Sequence, residues 1–103
     1  MKEYTIAELP PELLLIGTEE DREKFLPAII GIAKDKSRLA YSWDLLVKCF
    51  MEAWGVEWEE AAAHVEQNVE GSLYSYGPHA PVLLEQTKLT TRNKEYDPIK
   101  IKK

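Results

Sequence analysis

Hydrophobic and polar positions divide this chain into short blocks of differing period. A compact apolar run, Leu13-Leu14-Leu15-Ile16, ends at Gly17-Thr18. Thr18 followed three residues later by Asp21 resembles a capping box and predicts a short helix over 19–26, ended by Pro27. Residues 28–33 are apolar at consecutive positions and rich in β-branched side chains, which suits a buried strand. Asp35-Lys36-Ser37 reads as a turn and 38–41 as a second strand, giving a hairpin. Trp43, Leu46, Val47, Phe50 and Trp54 then recur at helical spacing, with Ser42 placed to cap the helix and Gly55 to end it. A second helix carries the stripe Trp58, Ala61, Ala62, Val65 and Val69, and Gly71 is expected to close it in the left-handed conformation.

Beyond Gly71 the segment 72–81 turns polar and aromatic, and 81–84 reads as a third strand. Residues 1–11, with Pro10-Pro11, read as irregular. Residues 87–103 read as a basic edge strand or a loose tail, with Pro98 arguing against a central strand. The expected architecture is a single α+β domain, residues 1–103, with a small, mostly antiparallel sheet packed against two consecutive helices.

Composition narrows the function classes. The 103 residues carry 13 Lys+Arg and 18 Asp+Glu, a formal net charge of −5. The imbalance is local: residues 35–71 hold three basic and eight acidic side chains, residues 72–103 six and three. An acidic body is a poor surface for a polyanion. No apolar stretch approaches the ~18 residues of a membrane span. The single cysteine, Cys49, excludes an internal disulfide framework and a Cys-cluster zinc site. With no apolar leader at the N-terminus, it points to a reducing, cytoplasmic setting.

Residues 41–82 resemble a family of small bacterial and phage or prophage proteins of unknown function. The shared pattern is Tyr41 before the first helix, Gly55 leading into Glu57-Trp58-Glu59-Glu60-Ala61, the Asn68-Val69-Glu70-Gly71 close, and Tyr74, Tyr76, Gly77 and Pro81 beyond. Glu57 stands where that pattern has a capping Ser or Thr. The resemblance implies the fold and no activity.

Candidate chemistry is sparse. Glu60 and His64 lie four apart on the second helix, too few ligands for a metal. Cys49, His64 and His79 match no catalytic signature, so neither an enzyme nor a cofactor is implied. Cys49 sits among Leu45, Leu46 and Phe50 and reads as a small buried hydrophobe. Asn68 is expected to bond the loop after Gly71, a structural lock whose loss would lower the melting temperature by several degrees. Of Trp43, Trp54 and Trp58, two are expected inside and one partly exposed; with Tyr74, Tyr76 and His79 they form the candidate interaction surface.

Two functions follow from this reading. The first is a non-catalytic module that binds another protein or itself, as a small homo-oligomer. The second is a nucleic-acid-binding regulator using the helix pair and the basic C-terminal segment. The five glutamates of the second helix disfavour the latter.

Overall fold

The computed structural model describes residues 2–102. Five strands form one mixed sheet: β1 (Lys2–Thr5), β2 (Ile29–Ala33), β3 (Leu39–Ser42), β4 (Val82–Leu84) and β5 (Tyr96–Lys102), in spatial order β1-β5-β2-β3-β4. The α+β class therefore holds, although the sheet is not purely antiparallel. β2 pairs antiparallel with β3 and β5, while β1–β5 and β3–β4 are parallel. The parallel β3–β4 pair follows from the helical crossover between them, which returns the chain in the direction it left.

The β2–β3 hairpin and the first helix form where the sequence places them. All five residues of β2 are buried, and the turn is tied by the Asp35 carboxylate, which accepts from the Ser37 N–H at 3.0 Å and from the Ser37 hydroxyl. Those bonds, the hydroxyl foremost, hold the Asp35 carboxyl below its ordinary pKa. Helix α1 (Trp43–Trp54) starts where buried Ser42 accepts from the Leu45 N–H at 3.2 Å. It ends at Gly55, which is left-handed (φ 63°, ψ 36°).

Helix α2 (Trp58–His64) does not stop near Gly71. The chain runs on through a π-helical stretch, Val65–Glu70, a turn of α-helix, α3 (Gly71–Leu73), and a 3-10 segment, Tyr74–His79. Gly71 is right-handed (φ −62°), which corrects the expected left-handed close; the break comes at Gly77 (φ 80°, ψ −159°), before Pro78. Two side-chain bonds run along the continuing turns, from the Ser72 hydroxyl to the Val69 carbonyl at 2.9 Å and from Ser75 to the Ser72 carbonyl at 2.7 Å. Leu73 packs against the core and rewards one more turn.

The termini also differ from expectation. Residues 2–5 are a strand, and β5 lies inside the sheet between β1 and β2. Pro98 is tolerated because the two ladders of β5 are staggered: pairing to β2 covers 96–98, and pairing to β1 begins at Ile99. The early helix is instead a 3-10 helix, Arg22–Ala28, with Pro27 inside it. One core joins these parts. Phe25, Leu26, Leu46, Val47, Phe50, Ala61 and Val65 from the helical layer meet Ile29, Ile32, Leu39, Tyr41, Ile99 and Ile101 from the sheet.

Candidate functional site

An aromatic chain organises the helical end of the molecule. Phe25 stacks on Phe50 with ring centroids 4.5 Å apart. Phe50 meets the edge of Trp54 at 4.6 Å and His64 at 5.0 Å, and Trp54 and His64 contact each other edge-on at 4.5 Å. Phe25 and Phe50 are buried, whereas Trp54 is 47% exposed. The rings therefore run from the core to the surface. There they wall a cleft of about 290 Å³, closed on its other sides by the Gly17-Thr18 loop, Asp21, Asn68, Ser72 and Tyr76.

Each wall has a local cause. Thr18 and Asp21 bind each other: the Asp21 N–H donates to Thr18 Oγ1 at 3.3 Å, and the Thr18 hydroxyl donates to the Asp21 carboxylate at 3.2 Å. Asp21 also pairs with Lys24 at 3.2 Å. The π-helical stretch buries Val65 and Val69 and leaves Glu66, Gln67 and Asn68 outside. Wide π turns inside helices are frequent at functional sites. Asn68 donates from Nδ2 to His64 Nδ1 at 3.2 Å, so the neutral imidazole carries its proton on Nε2 and the Asn68 carbonyl remains an acceptor.

The loop at the base of the cleft is pinned from the sheet. The buried Ile16 N–H donates to the hydroxyl of Tyr41 at 3.1 Å. Burial pushes the Tyr41 phenol well above its ordinary pKa. Tyr41→Phe keeps the ring but leaves that N–H unpaired, and is expected to cost about 1–3 kcal/mol in urea unfolding. The neutral phenol is favoured by the fold, so its contribution is intact below the ordinary tyrosine range, about pH 10, and is lost as pH rises above it. Tyr41→Phe should flatten that alkaline decline.

The residues singled out from the sequence separate into three places. Trp54 and Tyr76, the latter 40% exposed, share the cleft. Trp58 is 46% exposed and meets half-buried Trp43 edge-on at 5.9 Å. Two tryptophans thus lie substantially outside, where one was expected. Tyr74 is 92% exposed and faces a wider groove of about 770 Å³ beside β4, with Glu66 and Glu70 on its rim. His79 is a latch: its Nδ1–H donates to the Ser37 carbonyl at 2.8 Å, while Arg38 donates to the Pro78 carbonyl at 2.9 Å. Asn68 is exposed and bonds His64 rather than the loop beyond Gly71.

Sequence reasoning did not bring Thr18, Asp21, Phe25 or Phe50 to this site. The signal the sequence carries for it is the i,i+4 spacing of His64 and Asn68, whose side chains bond, whereas that of Glu60 and His64 brings no such contact. Among the described residues, no three His, Cys, Asp or Glu side chains gather to hold a metal ion, and no helix is long and apolar enough to cross a membrane. No family model matches the chain, and no curated protein or solved structure matches it significantly.

Proposed function

We propose that the protein is a non-catalytic interaction module, cytoplasmic and of bacterial or phage kind, that grips another protein through the aromatic cleft. One observation carries this reading: Trp54 and Tyr76, far apart in sequence, meet with large exposed areas at one walled cleft. Exposed aromatics at a depression are the residues that anchor protein partners. Self-association through the same surface is the variant of this reading in which the partner is a second copy.

The test is affinity capture from lysate of the source organism, at low and moderate salt, with the wild type beside a Trp54→Ala/Tyr76→Ala variant. A protein held by the wild type through moderate salt and lost by the variant is the expected result. Recovery of nucleic acid alone, eluting as salt rises, would overturn it. Sedimentation of the purified protein over a concentration series separates a homo-oligomer from a monomer that binds a different protein.

A further inference from the structure

We infer that the cleft between Trp54 and Tyr76 receives an arginine side chain of the partner protein. This rests on the interaction reading above and names the chemistry of its anchor. The cleft combines three things that a guanidinium uses. Its walls are aromatic, from Phe50 at the floor to Trp54 and Tyr76 at the rim. A planar, weakly hydrated cation gains on such faces, whereas a compact ammonium loses more hydration than they return.

The Asp21 carboxylate also lines the cleft, and among the described residues it is the one carboxylate there. One of its oxygens pairs with Lys24 and the other accepts from the Thr18 hydroxyl; both contacts are exposed, and such surface contacts exchange readily for a bidentate guanidinium–carboxylate contact. The Asn68 carbonyl is the third element and a second acceptor, held in orientation because its amide nitrogen is committed to His64. Among the described residues, no side chain lining the cleft is Lys or Arg. Charge complementarity acts over a longer range as well, since residues 35–71 hold eight acidic and three basic side chains. With a net charge of −5, the protein as a whole attracts a partner presenting a basic segment.

Citrulline, which keeps the shape of arginine and removes its charge, provides the test. Nα-acetylarginine amide, its lysine counterpart and Nα-acetylcitrulline amide are titrated into the wild-type protein, following the indole Nε1–H of Trp54 and the His64 ring by NMR. The arginine probe is expected to give saturable shifts at Trp54 and His64 and to bind about fivefold or more tightly than citrulline. Asp21→Asn, with an unchanged fold by circular dichroism, should bring arginine to the level of citrulline. Equal binding of arginine and citrulline, or no saturable shift at Trp54, would overturn the inference without recourse to any variant. The underlying reading fails differently. If lysate capture depends on Trp54 and Tyr76 while the arginine probe binds no better than citrulline, the interaction module stands and the arginine anchor falls; if no protein is captured, the module falls.

Discussion

Replacing Phe50 with Ala is expected to destabilise the protein by about 3–5 kcal/mol, in the range for a buried phenylalanine. The ring is 3% exposed and joins both sides of the helical layer, stacking on Phe25 and supporting Trp54 and His64. A domain of this size has only about 5–15 kcal/mol in total, so the variant sits near the edge of folding. Urea unfolding followed by circular dichroism would read the effect as a large fall in midpoint with an unchanged slope. Phe50→Leu keeps most of the volume and should lose markedly less. It still removes the ring beneath Trp54, so its tryptophan emission should respond to the altered packing while the fold persists. A midpoint within experimental error of the wild type for Phe50→Ala would mean that the aromatic chain does not couple the cleft to the core.

Gly31→Ala should also be costly, against the general trend. Alanine in a strand interior ordinarily stabilises relative to glycine, because it removes freedom from the unfolded chain. At this position in β2 a Cβ would overlap Leu89 Cδ1 outright and lie 2.9 Å from the carbonyl oxygen of Asp97 on β5. Overpacking of this kind costs about 1–3 kcal/mol. That corresponds to a fall in melting temperature of roughly 4–8 °C for each kcal/mol in a domain of about 100 residues. Leu89 can rotate or be shortened, but the Asp97 carbonyl belongs to the ladder and cannot. The penalty measured in a Leu89→Ala background should therefore be smaller than in the wild type and still present. Complete relief in that background would place the whole clash in the Leu89 side chain.

Local chemistry was legible wherever a single side chain decides the backbone. Ser42 and Gly55 bracket α1 because a hydroxyl acceptor and a left-handed residue are needed at those two points. The β2–β3 hairpin followed from an apolar run, a polar turn and a second run. Longer-range competition was not legible. Gly71 has the composition of a helix end, yet Leu73 gains from burial two residues later and the chain continues to Gly77. Pro98 argues correctly against a fully paired central strand, but β5 changes neighbour at that residue and escapes the conflict. For the site, the exposure of Trp54 and Tyr76 was within reach of the sequence, since so small a core cannot enclose every large aromatic. Asp21 and Thr18 were legible only as a cap, because their meeting with Trp54 and Asn68 depends on how the 3-10 helix settles on α1.

The position of β5 has a consequence for how the protein is made. Lys2 pairs with Ile99, and Gly31 in β2 pairs with Pro98. During synthesis, β1 has no neighbour and β2 has one open side until residues 96–102 leave the ribosome. The hairpin and both helices are complete well before that moment, so a growing chain carries a half-built sheet with a strongly apolar border. Pairings this distant in sequence are slow to form, and an open apolar border invites association with other chains in the meantime. Emergence of residues 96–102 from the ribosome is thus the step that closes the sheet, and nascent chains arrested before that emergence should be held by chaperones.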